Sequence, residues 1–168
     1  MDEIMDVLTR GVSEVLPDKE GLAKLMASKK IRLYQGFDPS MPSLHLGNFV
    51  GIMKLRQFQK LGHEVIFLVG DFTGMIGDPT DKLSSRKKLT REQILSNAKS
   101  WKEQAGRLLD FEGPNAAKFM FNSEWSDKLT FKELIETTSN FTVQQMIERD
   151  MFQKRLKENK PIYLHEFL

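Results

Sequence analysis

The 168-residue sequence contains no cysteine, and it has only three histidines, which are far apart in the chain. The absence of cysteine excludes disulfide bonds, thiolate nucleophiles and thiolate zinc sites, and it suits a reducing compartment. No uninterrupted apolar run approaches the ~20 residues that a membrane-spanning helix needs. The acidic start is unlike a signal peptide. We therefore expect a cytoplasmic protein that does not associate with membranes.

A strong excess of charge of either sign is also missing. The 25 Lys and Arg residues against 23 Asp and Glu residues leave a formal net charge of +2. Global electrostatics thus gives no argument for nucleic-acid binding, and any basic surface must be local. With 40% apolar residues, a chain of this length can bury one ordinary core, so we expect one compact domain.

Residues 31–70 follow the pattern of a βαβ unit. An alternating apolar segment at 31–37 predicts a strand, and apolar residues at helical spacing predict a helix over 49–61, which Gly62 ends. The apolar run at 64–70 is typical of a buried parallel strand. A strand, a glycine-containing loop, a helix and a strand form the nucleotide-binding half of a doubly wound fold. The sequence therefore predicts an α/β protein with a Rossmann-like, doubly wound parallel sheet.

The remaining elements divide the chain into three regions. N-terminal helices are expected in residues 1–30, at 3–15 and near 22–30. The Rossmann-like half occupies 31–125, with a helix over 90–109 that a capping box at Thr90 opens and a third strand at 117–121. A helical connective segment at 126–168 has helices near 131–137 and 143–158 and from 161 onwards, two of them opened by capping boxes. Three strands make an incomplete doubly wound sheet, so we expect a fragment. Trp101 is predicted to lie in the core and His63 on the surface.

Residues 34–48 have the features of an anion site. A helix start offers unpaired N–H groups and the positive end of the helix dipole, and Gly36 and Gly47 would let a ligand approach the backbone. His45 and Asn48 lie three residues apart, so both side chains can donate hydrogen bonds from the first helical turn. A second loop, at 70–80, leaves the neighbouring predicted strand. Both loops are expected to face one crevice that holds a polyphosphate.

Residues 42–48 resemble the HIGH signature of class I aminoacyl-tRNA synthetases, written here as His-Leu-Gly-Asn. Four further stretches, at 36–40, 69–79, 122–125 and 164–168, resemble those of bacterial tyrosyl-tRNA synthetases in order and spacing. The resemblance covers the chain from about Gly36 to its end. In this signature Asn48 stands where the family has a second histidine. The asparagine keeps a hydrogen-bond donor but lacks the imidazole.

This resemblance implies a reaction and a set of site residues. Tyrosine attacks the α-phosphate of ATP, pyrophosphate leaves, and the tyrosyl group passes to tRNA(Tyr). ATP would arrive with Mg²⁺, with no metal ligands from the protein, and the helices at 131–168 would form a homodimer interface. The implied catalytic residues are His45 and Asn48, those for ATP are Gly36, Asp38, Ser40, Gly47, Lys82 and Arg86, and those for tyrosine are Tyr34, Thr73, Asp78 and Asn122.

Other interpretations remain open from the sequence. Tyr34 could pack rather than bind, and Asp78 before Pro79 could simply be a turn residue. A tryptophanyl-tRNA synthetase, a cytidylyltransferase-like nucleotidyltransferase and a non-catalytic RNA-binding or scaffold remnant are the rival functions. The family's second half-sheet, its Lys-rich KMSKS loop and its anticodon-reading domains have no counterpart in the sequence. We therefore expect this segment alone not to charge tRNA and to bind ATP weakly at best.

Overall fold

The computed structural model describes residues 2–76 and 89–167. Its centre is a three-stranded sheet with the order β1-β2-β3, formed by β1 (Arg32–Phe37), β2 (Glu64–Val69) and β3 (Lys118–Phe121). Both strand pairs are parallel, and Phe37, Val69 and Phe121 are aligned at their ends. The carboxyl ends of all three strands therefore meet at one edge of the sheet. The predicted α/β fold with an incomplete parallel sheet is confirmed.

Helices precede, connect and follow the three strands along the chain. None within the described ranges is long and apolar enough to cross a membrane. In chain order, the α-helices are α1 (Asp2–Thr9), α2 (Lys19–Ser28), α3 (Leu46–Lys60), α4 (Thr73–Ile76), α5 (Arg91–Ala98), α6 (Trp101–Ala105), α7 (Ser123–Ser126), α8 (Phe131–Thr138), α9 (Val143–Ile147) and α10 (Asp150–Lys157), and a 3₁₀ helix follows at Leu164–Phe167.

Threonine capping boxes start three of these helices. Thr90, Thr130 and Thr142 each accept a hydrogen bond from the backbone N–H three residues later, and the side chain at that position bonds back to the threonine N–H. Two of the helix donors that would otherwise be unpaired are satisfied in this way. The two boxes that were predicted at the starts of α8 and α9, and the one at α5, are confirmed.

Several helix boundaries differ from the prediction. Helix α1 ends at Thr9, and Gly11 just beyond it has a φ of +68°. The predicted helix over 90–109 is divided into α5 and α6, and the one over 143–158 is divided into α9 and α10 before Arg149, whose backbone is extended. Helix α3 begins three residues earlier than predicted, and the last helix is a 3₁₀ turn that starts at Leu164. Apolar spacing identifies the buried face of a helix but not an interruption of its axis.

Stacked aromatic rings connect the sheet to α6. Phe67 on β2 stacks on Phe37 of β1 at 4.6 Å and on Phe119 of β3 at 5.2 Å. The Trp101 ring meets Phe67 edge-on at 6.4 Å and is 1% exposed. Each aromatic pair adds about 0.5–1.5 kcal/mol beyond the burial of its surface. The predicted core position of Trp101 is confirmed, and α6 is held firmly against the sheet.

His63 is buried, with 4% of its surface exposed, so its predicted surface position is wrong. Its Nδ1 accepts a hydrogen bond from the Ile31 N–H at 3.4 Å, and its ring lies 6.1 Å from that of Phe58. Burial, with a smaller contribution from nearby Lys30, lowers the pKa of His63 below the ordinary 6.5. A turn in the sequence indicates a change of chain direction, but it does not say which side of the turn faces the core.

Candidate active site

Polar side chains follow each strand at the shared edge, and a hydrogen-bond chain joins them. The Thr73 hydroxyl, after β2, donates to Asp38 Oδ1, after β1, at 2.7 Å. The Asn122 amide, after β3, donates to Thr73 Oγ1 at 3.3 Å and accepts from the Phe72 N–H at 2.8 Å. The structure thus brings together three residues that the sequence assigned to the site, at the edge where doubly wound sheets bind their ligands.

Gly70 makes this chain of contacts possible. A Cβ at this position would lie 1.9 Å from Asp38 Oδ1 and 2.4 Å from Thr73 Oγ1, far inside any normal contact. Any larger residue would therefore push these two side chains apart. The sequence identified the loop that begins at Gly70 but gave this glycine no role. A glycine directly after a buried strand is the signal that could have identified it, because such a position often marks a close approach.

His45 forms the N-cap of α3. Its Nδ1 accepts from the backbone N–H groups of Gly47 at 3.1 Å and Asn48 at 3.4 Å, and Asn48 Oδ1 accepts from the His45 N–H at 3.0 Å. The expectation that the first N–H groups of this helix are unpaired is therefore wrong for Gly47 and Asn48. The physical reason is that a side-chain acceptor at an N-cap reaches the N2 and N3 donors of its own helix.

This capping arrangement determines which atoms of the two side chains can donate. Because Nδ1 is an acceptor, the neutral imidazole of His45 carries its proton on Nε2, on the far side of the ring from the helix end. With its oxygen engaged, Asn48 offers its NH₂ group. A Cβ on Gly47 would lie 3.0 Å from His45 Cε1, so a larger residue would displace the ring. Two donors therefore stand at the positive end of a 15-residue helix.

Tyr34 and Gly36 lie on the same face of β1, since they are two residues apart. Tyr34 is 70% exposed, so it does not pack into the core of the described residues. A Cβ on Gly36 would meet only Leu68 Cδ2, at 4.0 Å, which leaves open space at this glycine. Ser40 is exposed in the loop that follows, and its N–H donates to the Asp38 carbonyl at 2.8 Å.

A buried carboxylate beside this edge had no predicted role. Asp71 is 1% exposed, and its Oδ1 accepts from the Ser123 N–H at 3.0 Å. Arg91 at the start of α5 approaches Asp71 Oδ2 at 3.6 Å and Asp127 at 2.7 Å. A buried charge needs such partners, and these contacts tie α5 and α7 to the exit of β2. Only the tertiary arrangement brings the three groups together.

Three predicted site residues, Asp78, Lys82 and Arg86, lie outside the described residues. Within the described ranges, no three His, Asp or Glu side chains cluster as a metal site would require.

The fold is shared with solved synthetase structures. The C-terminally truncated mitochondrial tyrosyl-tRNA synthetase of Coccidioides posadasii superposes with a TM-score of 0.79 at 26% identity, over 98% of this chain and 47% of that one. The tyrosyl-tRNA synthetase of Archaeoglobus fulgidus, complexed with L-tyrosine, matches with a TM-score of 0.65 at 27% identity, over 88% of this chain and 44% of that one. The parallel sheet and its polar edge thus define a class I synthetase fold.

The sequence comparison identifies the family. Residues 26–168 match the family model described as tRNA synthetases class I (W and Y), and the chain belongs to this family. It is 48% identical to the tyrosine–tRNA ligase of Haemophilus ducreyi, over 100% of this chain and 42% of that protein. It is 51% identical to the tyrosine–tRNA ligase of Colwellia psychrerythraea, over 96% of this chain and 40% of that protein. The chain spans about two fifths of the length of these curated relatives.

Proposed function

We propose that this chain supplies the ATP-binding and much of the tyrosine-binding surface of a tyrosine–tRNA ligase. That enzyme activates L-tyrosine with ATP to tyrosyl-adenylate and transfers the tyrosyl group to tRNA(Tyr). The observation that carries the proposal is the shared edge, where Asp38, Thr73 and Asn122 are hydrogen-bonded in a chain. Relatives named tyrosine–tRNA ligase, at 48% identity over the whole chain, support it.

The first step needs no protein nucleophile. The tyrosine carboxylate attacks the α-phosphorus of ATP, a new P–O bond forms, and the bond to pyrophosphate breaks. Catalysis therefore rests on holding the reactants in line and on stabilising the charge that moves toward pyrophosphate. His45 Nε2–H and the Asn48 NH₂ group are the donors for those oxygens, and the α3 dipole adds to their effect.

The other residues divide between the two substrates. Gly36 and Gly47 leave room for the nucleotide, while Asp38 and Ser40 help to shape the pocket for its adenosine and phosphate groups. Lys82 and Arg86 bind pyrophosphate as cations, and ATP brings its own Mg²⁺. For tyrosine, Asp78 pairs with the ammonium group and Tyr34 bonds to the phenol. Asn122 acts through Thr73 and Phe72, because both ends of its amide are engaged by them.

A chimera tests this function directly. Residues 1–168 replace the matching segment of the Haemophilus ducreyi ligase, and pyrophosphate exchange is measured with each amino acid in turn. Exchange that depends on tyrosine alone is the expected result. Exchange with tryptophan instead would reassign the substrate. A folded chimera without exchange, beside an active parent ligase, would refute the proposal in favour of a non-catalytic RNA-binding or scaffold role. A His45→Ala chimera controls for exchange by contaminating enzymes.

We further propose that residues 126–168 contribute to a homodimer interface in a cytoplasmic enzyme. Large apolar side chains are exposed along this segment, at 77% for Phe131, 52% for Ile135, 59% for Phe141 and 68% for Val143. Exposed apolar surface of this kind is typical of protein interfaces. Sedimentation of the chimera tests the idea: Phe131→Asp with Ile135→Lys should shift it toward the monomer, and an unchanged dimer would refute this use of the surface.

A further inference from the structure

The loop between β1 and α3 is held by a side chain from α6. The Gln104 Nε2 donates to the Pro42 carbonyl at 2.9 Å, and its Oε1 accepts from the Leu44 N–H at 2.8 Å. Ser100, one helical turn earlier, supports both groups, since its Oγ accepts from Gln104 Nε2 at 2.8 Å and donates to Pro42 at 3.2 Å. Gln104 thus uses both ends of its amide on the loop.

The loop depends on such contacts because of its own composition. Pro39 and Pro42 have no N–H group and cannot donate backbone hydrogen bonds. Both prolines are held through their carbonyls, which accept hydrogen bonds from side chains of α5 and α6. Asn97 Nδ2 donates to the Pro39 carbonyl at 2.9 Å, as Gln104 does to that of Pro42. Asn97 of α5, the α6 N-cap residue Ser100 and Gln104 of α6 each donate to a carbonyl of this loop. These three side chains therefore hold the backbone of the loop that leads into α3.

The helix that carries Gln104 is itself fixed. Its neighbours Trp101 and Ala105 are 1% and 0% exposed, and Trp101 packs on Phe67 of the sheet. The Gln104 amide therefore holds Leu44 in a fixed position relative to the strands. Leu44 is covalently joined to His45, whose ring has to reach the N–H groups of Gly47 and Asn48.

We propose that Gln104 is a positioning residue for His45. It fixes the backbone just before the N-cap, so the imidazole stays bonded through Nδ1 and keeps its Nε2–H free for a phosphate oxygen. The use of that proton in ATP binding rests on the proposed function. The position of the ring does not.

The test measures the tautomer of His45 by ¹⁵N NMR of the imidazole rings in the 168-residue chain, with the His45 signals assigned by their loss in His45→Asn. In the wild type we expect Nδ1 to resonate as an acceptor and Nε2 as the protonated nitrogen. Gln104→Leu should move both signals toward the average of the two tautomers, because the ring is released from the cap. In the chimera, Gln104→Leu should also raise the KM for ATP about tenfold.

Gln59→Leu is the matched control. Gln59 makes the same kind of two-ended contact with a different loop, donating to the Asp110 carbonyl at 2.7 Å and accepting from the Asp110 N–H at 3.1 Å. This variant should lower stability without moving the His45 signals. A purely structural role of Gln104 predicts the same result for Gln104→Leu. Unchanged His45 signals in a folded Gln104→Leu chain would therefore overturn the proposal.

Gln104→Glu covers the case in which the leucine variant does not fold. The carboxylate still accepts from the Leu44 N–H but has no donor for the Pro42 carbonyl, so a smaller movement of the same signals is expected. Wild-type signals in this variant would also count against the proposal. Pyrophosphate exchange separates the two ideas, because a His45→Ala chimera with the wild-type KM for ATP would refute the role of His45 in ATP binding and leave its positioning by Gln104 standing.

Discussion

Replacing Gly36 with alanine tests whether the fold or the bound nucleotide requires a glycine at this position. The new Cβ would touch only Leu68 Cδ2, at 4.0 Å, which is an ordinary contact. The protein therefore has no steric reason of its own to keep a glycine here. If the open space beside Gly36 is where the nucleotide approaches the backbone, the same methyl group would stand in the ligand's place.

The substitution should raise the stability of the protein but weaken its binding of ATP. Alanine in place of a glycine whose backbone it tolerates stabilises a protein by about 0.4–1 kcal/mol, because the unfolded chain has less freedom to lose. A methyl group forced into a closely packed contact costs about 1–3 kcal/mol. Applied to the bound nucleotide, that cost corresponds to roughly a 5- to 150-fold rise in the KM for ATP.

Stability is measured by urea unfolding of the 168-residue chain, followed through tryptophan fluorescence, to which Trp101, 1% exposed, contributes. The KM for ATP is measured by pyrophosphate exchange in the chimera. Gly70→Ala is the control, because its Cβ would lie 1.9 Å from Asp38 Oδ1 and should reduce stability and ATP affinity together. A Gly36→Ala protein that keeps the wild-type KM would show that no ligand approaches this glycine.

Two further predictions concern a helix start and a buried histidine. Asn48→His should keep the pyrophosphate-exchange rate of the chimera within about tenfold, because histidine retains a donor and an acceptor at this position; a larger loss would mean that the amide itself is required. The lowered pKa of His63 means that, below about pH 6.5, the unfolded chain binds a proton that the folded chain does not. The free energy of unfolding should therefore fall on acidification from about pH 7 to pH 5. In His63→Asn this dependence should be weaker, and an equally steep curve would contradict the assignment. Glu64, whose pKa is lowered from 4.5 mainly by its hydrogen bond to Lys118, contributes only at more acidic pH.

Local signals in the sequence were enough for much of the fold. The three strands, the parallel βαβ unit and the threonine capping boxes depend on residues that are neighbours or lie within one helical turn of each other. Such interactions act in the same way wherever the segment is placed. The signature stretches around His45 and Thr73 also indicated the family, and the family model confirmed it.

The assembly of the site was only partly predictable. Parallel strands bring their carboxyl ends to one edge, so the sequence could place Asp38, Thr73 and Asn122 near each other. It could not predict that they form one hydrogen-bond chain, because such a bond depends on distances of a few tenths of an ångström. The prediction for the start of α3 failed for a different and local reason, since it did not treat the His45 side chain as the N-cap of its own helix.

By itself, the sequence determined which segments are strands, where the helices opened by threonine capping boxes begin, and which family the chain belongs to. The tertiary structure alone decided that His63 is buried, that Asp71 pairs with Arg91, and that Gln104 holds Leu44. These contacts connect residues that are 20 to 60 positions apart. Their geometry depends on the packing of whole elements, and no local pattern of residues encodes it.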